Sequence, residues 1–189
     1  MMRKLLLLFA VMSAMSLARA ADTAALVTNS VSFGEHGTLE VLIPKDWTLL
    51  RTNLNLPRKP ESFELHSARN EIVVRITSFW DGFGGSNAKP TEEDMANSVR
   101  TNAERVWLPI SVEKSLTVEK LRGPAVTGSF VRITDAKWVP VVKGTYRNQA
   151  TGMFRSGNLW GSFDLLTNDK DGPEFKQGLN VMESLRRKP

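Results

Sequence analysis

Short segments in which apolar and polar residues alternate are the feature that most constrains the fold of this 189-residue chain. The alternation is clearest over residues 71–79, where Ile72, Val74 and Ile76 would all point to one side of a strand. Similar patterns predict further strands at residues 39–43, 63–65, 116–118, 130–133 and 141–146, and a hairpin over 154–166. Because the turns between neighbouring strands are short, the strands are expected to pair antiparallel.

A first helix is predicted to begin after Thr91. Thr91 and Asp94 form a capping-box pattern, and Glu92 and Glu93 suit the positive end of a helix dipole. The apolar stripe of this helix comprises Met95, Val99, Ala103 and Val106. A single apolar stripe has to be buried against one surface, so this helix is expected to lie on the sheet.

A second helix is predicted near the end of the chain. Asp171 is the expected cap, Pro173 suits the first turn, and Glu174 completes another capping-box pattern. The apolar stripe comprises Phe175, Leu179, Met182 and Leu185. The basic residues 186–188 would follow the helix, where its dipole favours cations. The order of elements therefore predicts an α+β fold: an antiparallel sheet flanked by two helices, one on each face.

The first twenty residues are predicted to be a secretory signal peptide and not part of the fold. Residues 1–20 contain a basic start, a leucine-rich run and a small-x-small cleavage pattern that ends at Ala20. The run is too short to span a bilayer, which requires about 20 apolar residues. We expect a flexible leader over 21–36 and a single α+β domain over 37–189. The mature protein is predicted to be periplasmic or secreted, with no transmembrane segment after cleavage.

Composition excludes several classes of function. The net charge of +5 includes three basic residues within 1–20, so the mature chain is close to neutral and gives no argument for nucleic-acid binding. The chain has no cysteine and two histidines, which cannot supply the four nitrogen and sulfur ligands of a structural zinc site. Glu64 and His66 would share a strand face and could hold a metal weakly with Glu71, although a solvated face is the alternative. We therefore predict no metal site and no cofactor.

No recognisable motif indicates catalysis. The sequence has no Gly-x-Ser-x-Gly elbow, and the glycine-rich residues 82–85 lack the Lys-Ser/Thr of a phosphate loop. No catalytic residue is therefore predicted, and we expect that the protein is not an enzyme. The five tryptophans stand against one tyrosine. They are either large core residues or a stacking surface for sugars or another flat ligand.

A binding loop is predicted directly after the strongest strand. Trp80, Asp81, Phe83 and Asn87 lie in a glycine-rich segment, and exposed aromatic residues on such loops can anchor a partner. The alternative is that Trp80 and Phe83 fold over the sheet edge beneath the first helix.

Three segments resemble the PsbP-like fold, which a photosystem assembly subunit and a yeast Ran-binding import factor share. They are a strand with a Pro-x-x-Trp turn over 37–47, the strands at 128–133 and 153–166, and the closing helix with residues 182–186. The resemblance implies a three-layer α/β/α sandwich and a mostly non-enzymatic family that binds proteins and sometimes metal. It carries over no functional residue, because a fold does not transfer an activity.

The expected function is a non-enzymatic binding or accessory module with a protein or cell-envelope partner. A carrier for a small apolar ligand is the second hypothesis, and a hydrolase is the third. An enclosed apolar cavity would favour the carrier, and a cleft with a hydrogen-bonded acid–base pair would favour the hydrolase. An exposed aromatic surface over a filled core would favour the binding module.

Overall fold

Ten strands and two helices form the described part of the protein. The structure, a computed structural model, describes residues 25–52, 61–80, 88–139 and 144–189. The strands are β1 (Leu26–Ser32), β2 (Thr38–Pro44), β3 (Thr48–Thr52), β4 (Glu61–His66), β5 (Ile72–Phe79), β6 (Glu119–Arg122), β7 (Thr127–Thr134), β8 (Asn148–Ser156), β9 (Leu159–Thr167) and β10 (Arg186–Lys188). The helices are α1 (Glu92–Asn102) and α2 (Pro173–Glu183). All strand pairs are antiparallel, so the predicted α+β class is confirmed.

The strands form two sheets. The larger sheet has the order β3-β4-β5-β9-β8-β7-β6, and the smaller one has the order β1-β2-β10. The predicted hairpin is the centre of the larger sheet, where Ser156 of β8 pairs with Leu159 of β9. Gly157 supplies the positive φ of 61° that the two-residue turn between them requires. β5 then pairs with β9, which places the strongest predicted strand beside the hairpin.

One face of the larger sheet carries the main core. Alternate residues of the central strands point to this face, as the period of two predicts, and meet α2 and the smaller sheet. Their fully buried members include Phe63, Val74, Ile76, Phe154, Phe163 and Leu165. Gly178 lets α2 approach β9 closely, because a Cβ at this position would lie 2.2 Å from Leu165 Cδ1.

Helix α1 packs on the opposite face, mainly on β7 and β8. Its capping box is present: Thr91 Oγ1 accepts a hydrogen bond from Asp94 N at 3.1 Å, and Thr91 N donates to Asp94 Oδ2 at 2.8 Å. A second apolar cluster fills the interface, and it comprises Met95, Val99, Ala103, Val131, Ile133 and Met153. Val106 does not join this stripe and is 41% exposed. The chain widens into a π-helical turn over Ala103–Trp107, which shifts the phase of the residues that follow.

The start of α2 differs from the prediction. The N-cap is Gly172, which has no side chain that could accept a hydrogen bond. Asp169 accepts hydrogen bonds from the backbone N–H groups of Gly172 and Glu174 at 2.8 and 3.0 Å instead. The expected cap, Asp171, instead accepts a hydrogen bond from Arg132 Nη1 at 2.7 Å. Asp169 replaces it because the bend before the helix brings this earlier carboxylate under the free N–H groups.

The basic residues 186–188, which were predicted to follow the second helix, form the strand β10. Arg186 and Lys188 of β10 pair with β2 and form ion pairs with Glu40 at 2.6 and 2.5 Å. The side chain of Glu40 is 9% exposed. The hydrogen bonds from Lys188 and Arg186 hold the pKa of Glu40 below its ordinary value. This buried acceptor explains why the basic residues return to the sheet.

Several segments correct the sequence-based boundaries. The leader expected over 21–36 contains β1, and Val31 and Phe33 are buried in the main core. β3, which the sequence patterns did not predict, ends at Thr52, and residues 53–60 lie outside the described ranges. The strand predicted at 116–118 is absent, and β6 follows these residues. Of the strand predicted at 141–146, residues 144–146 are not a strand and residues 141–143 lie outside the described ranges. The predicted signal peptide over 1–20 lies outside the described ranges. No helix within those ranges is long and apolar enough to cross a membrane.

Candidate functional site

Trp80 is the one residue of the predicted binding loop that the structure describes. Its ring stacks on His36, with ring centroids 4.3 Å apart and planes 10° from parallel. The centroid of the Phe33 ring lies 6.2 Å from that of Trp80. It packs against the main core and is half-buried, and its carbonyl accepts a hydrogen bond from Lys89 Nζ. Trp80 therefore covers the main core, on the face of the sheet opposite to the first helix and not beneath that helix. Asp81, Phe83 and Asn87 lie outside the described residues.

A groove lies between α1 and the larger sheet. Because α1 packs mainly on β7 and β8, a cleft of about 640 Å³ remains beside the helix, next to strands β9 and β5. The groove is lined by Phe79, Asp94, Asn97, Ser98, Val99, Thr101, Asn102, Arg105, Thr151, Gly152, Met153 and Ser162. We call this site the α1 groove.

One wall of the α1 groove is the polar side of the helix. Asn97, Ser98, Thr101 and Asn102 follow each other at the spacing of one helical face, and Arg105 continues it. These residues flank the buried stripe that begins at Met95, and Val99 of that stripe also lines the groove, so the same periodicity that buries the helix presents the wall. Each of the four side chains carries a neutral group that can both donate and accept hydrogen bonds.

Asp94, the acidic residue of this wall, already accepts two hydrogen bonds through Oδ2. Asp94 accepts from Thr91 N, and its Oδ2 also accepts from Thr91 Oγ1 at 2.7 Å. These hydrogen bonds hold the pKa of Asp94 below its ordinary value, with the backbone bond as the larger cause. Asp94 is thus an ionised cap of α1 and is not available as a proton donor to a ligand.

The floor of the groove combines the ring of Phe79 with short hydroxyl side chains. Phe79 of β5 stacks on Trp160 of β9, its partner in the strand register, with ring centroids 4.7 Å apart and planes 24° from parallel. The adjacent row of the same face holds Ser162, Thr77 and Ser62, and the last two form a 2.9 Å hydrogen bond. The short side chains leave open the space that α1 does not fill.

A charged cluster lies on the same face of the sheet, on β4 and β5, beyond the residues that line the groove. Glu64 accepts from Arg75 Nε at 2.7 Å and from His66 Nε2 at 2.8 Å, while His66 Nδ1 lies 3.2 Å from Asn70 Oδ1. Burial acts to raise the pKa of Glu64, but the bonds from Arg75 and His66 outweigh it and lower the pKa. Glu71 does not join them, because it pairs with Arg69 at 3.9 Å. Within the described ranges, no three metal-ligating side chains come together.

The arrangement in the groove can bind but offers no acid–base pair. His36 lies against Trp80, and both ring nitrogens of His66 have partners among Glu64 and Asn70. In the described structure neither imidazole reaches Ser98 or Ser162, the serine hydroxyls of the groove. The groove presents hydrogen-bonding side chains and the ring of Phe79.

Sequence reasoning missed the groove because it considered only the buried side of α1. The signal was present: four neutral hydrogen-bonding residues occupy one side of a helix whose first turn is strongly acidic. The pairing of Phe79 with Trp160 was not readable, since it depends on the register between two strands that are about 80 residues apart.

Comparison with known proteins gives a likeness in fold. No protein-family model matches the chain, and no curated protein matches it. The chain is similar to a protein from Bacteroides thetaiotaomicron whose crystal structure was determined at 1.50 Å resolution, with a TM-score of 0.50 and 14% sequence identity. The match covers 80% of this chain and 45% of that protein, so the chain spans less than half of its length. At this identity, the two proteins are alike in fold alone.

Proposed function

We propose that the protein is an exported periplasmic, non-enzymatic binding or accessory module of PsbP-like fold. In this proposal the α1 groove holds a protein or cell-envelope partner. The observation that carries it is the combination of a neutral hydrogen-bonding wall and an aromatic floor in an open groove above a filled core. Concave surfaces with a few convergent polar groups and aromatic residues are typical binding sites.

The arrangement of layers supports a PsbP-like fold. Helix α1 packs on the face of the larger sheet that carries Val131 and Met153, and α2 packs on the face that carries Phe163 and Leu165. The helices therefore lie on opposite faces of an antiparallel sheet, as the resemblance implies. The smaller sheet joins the layer of α2, which the resemblance alone did not indicate.

Two features support binding over the alternative functions. A carrier for an apolar ligand requires an enclosed apolar cavity, whereas the α1 groove is open and half of its lining residues have neutral polar side chains. A hydrolase requires a nucleophile with a bonded base, and the serine hydroxyls of the groove are not bonded to a described histidine or carboxylate. The arguments against a carrier and against a hydrolase both favour a site that recognises its partner without reacting with it.

Site-specific photo-crosslinking tests the proposal. The photoreactive amino acid benzoylphenylalanine is placed at Asn97, on the groove wall, in cells that express the full chain. The matched control carries it at Glu93, an exposed position of the same helix outside the groove. We expect an adduct from Asn97 and none from Glu93. Equal adducts from both positions, or none from Asn97, would contradict the proposed site.

A further inference from the structure

We propose that the ligand of the α1 groove is a neutral oligosaccharide. This inference rests on the proposed function, because it names the chemical class of partner for the same site. It is carried by four properties of the groove: its hydrogen-bonding groups, the aromatic ring in its floor, the charge of its lining and the pairing of the strands beneath it.

The hydrogen-bonding groups match those of sugars. Ser98, Thr101, Asn102, Thr151 and Ser162 form no side-chain hydrogen bond with another described residue, so their hydroxyl and amide groups are open to a ligand. Sugar hydroxyls both donate and accept, and these side chains do the same. A ligand with only acceptors or only donors would leave part of this set without partners, which is costly once water is displaced.

The aromatic floor supplies the apolar part of the recognition. Phe79 borders the groove and stacks on Trp160 of the neighbouring strand. The stack and the strand register hold the Phe79 ring in a fixed orientation. One face of a pyranose ring carries mainly C–H groups and can cover such a ring while its hydroxyls remain at the edge. Aromatic rings provide this kind of contact at a low entropic cost because few torsions have to be fixed.

The charge of the lining favours a neutral ligand. Asp94 and Arg105 are the two charged residues of the lining, and their opposite charges leave the lining without net charge. A polyanion would require several cations to offset the loss of its hydration. The volume of about 640 Å³ lies within the range of about 300–1,000 Å³ that small-molecule sites have, which suits a few sugar units.

The strand order disfavours an extended peptide in the same place. Peptides that lie along a sheet usually add to an edge strand, where free backbone groups bind them. The strands under the groove are β5, β9 and β8, and each is already paired on both sides. Recognition here has to come from side chains, as it does for sugars.

Binding is tested with two neutral β-linked probes, chitohexaose and cellohexaose. Each is titrated into the full mature protein while the backbone amides of α1 and the indole signal of Trp160 are followed by NMR. We expect saturable shifts for at least one probe, with a dissociation constant between about 10 μM and about 1 mM, as suits a few neutral hydrogen bonds and one ring contact. The shifts should be confined to the groove residues and their neighbours.

Matched variants assign the binding to the groove. Thr101→Ala with Asn102→Ala removes hydrogen-bonding groups from exposed helix positions without lowering helix propensity. We expect this variant to weaken binding by about tenfold or more, since two hydrogen bonds are lost. The control, Glu93→Ala with Glu104→Ala, changes exposed positions that do not line the groove and should bind as the wild type does. Phe79→Leu, which keeps an apolar side chain but removes the ring, should lose a similar factor.

The outcomes separate this inference from the proposed function. Absence of saturable shifts with both probes overturns the inference, as does binding that the wall variant leaves unchanged. If neither sugar binds while Asn97 crosslinks to a partner that protease destroys, the groove is a protein-binding site, and the proposed function stands without the inference. If sugars do not bind and Asn97 forms no adduct, both are wrong.

Discussion

At the scale of single residues, the structure depends on carboxylates that lie partly buried between elements distant in sequence. Glu113 is the clearest case: it accepts from Thr134 N at 2.9 Å, from Thr134 Oγ1 at 2.7 Å and from Lys170 Nζ at 2.8 Å. Burial acts to raise its pKa, but these bonds outweigh burial and lower the pKa from 4.5 to about 2. The ionised side chain thereby ties the segment before β6 to β7 and to the loop before α2.

The effect of Glu113 on stability is predicted to depend on pH. Because folding lowers its pKa, the carboxylate stabilises the fold fully above pH 4.5, and this contribution is lost as the pH falls to about 2. Glu113→Gln should lower the free energy of unfolding at neutral pH by about 1.5–3 kcal/mol, the range for hydrogen bonds to a charged group. The difference from the wild type should vanish near pH 2.

Urea denaturation at a series of pH values measures this difference. Glu61→Gln is the control, because Glu61 is exposed and forms no ion pair within the described structure. It should unfold like the wild type throughout the series. A Glu113→Gln penalty that persists unchanged at low pH would mean that lost packing, and not the charge, is responsible.

At the scale of elements, α2 shows how tertiary contacts revise a helical stripe. The expected stripe includes Leu179, which is only half-buried, and omits Val181, which is 3% exposed. Gly178 faces Leu165 of β9 and lets α2 lie close to the larger sheet, and α2 also contacts β2 of the smaller sheet, so a broader arc of the helix is buried. Helical periodicity indicates which apolar residues share one face of α2. It does not indicate which residues outside that face are buried by the second sheet.

Two truncations in α2 should therefore differ in their cost. Met182 is fully buried, and Met182→Ala should lower the free energy of unfolding by about 2–5 kcal/mol. Leu179→Ala should cost less, about 1–2 kcal/mol, because the side chain is already partly exposed to water. Chemical denaturation of both, with the exposed Lys176→Ala as control, tests the order. A larger loss for Leu179→Ala would contradict the packing described for α2.

At the scale of the whole molecule, the sequence was sufficient for the class of fold and insufficient for the site. Alternation revealed β2, β5 and the β8–β9 hairpin because each strand has one face in the main core. It missed β1 and β10, whose pairing with β2 depends on contacts between the two ends of the domain. The α1 groove was missed for a related reason, since its wall and floor come from a helix and from strands that only the sheet order brings together. Of the predicted loop, Trp80 proved to cover the core.

The proposed export gives a second prediction at the scale of the whole molecule, which concerns the N-terminus of the mature protein. Cleavage after Ala20 should leave Ala21 or a nearby residue as the N-terminus of the mature protein, because Ala18 and Ala20 form a small-x-small site. Intact-mass analysis of protein recovered from the periplasm measures this directly. Recovery of membrane-bound protein that retains Met1 would contradict the prediction.

The central claim is that the partner is held in the α1 groove, and blocking the groove tests it most directly. Thr101→Trp places a large side chain at an exposed position of the groove wall, while Glu104→Trp adds the same side chain outside the groove. Both variants should fold as the wild type does, which circular dichroism and denaturation verify. The measurement is the dissociation constant for the partner identified by crosslinking. We predict that Thr101→Trp weakens binding by at least about tenfold, corresponding to about 1.4 kcal/mol, and that Glu104→Trp leaves it unchanged. Equal binding by the folded Thr101→Trp variant and the wild type would contradict the account.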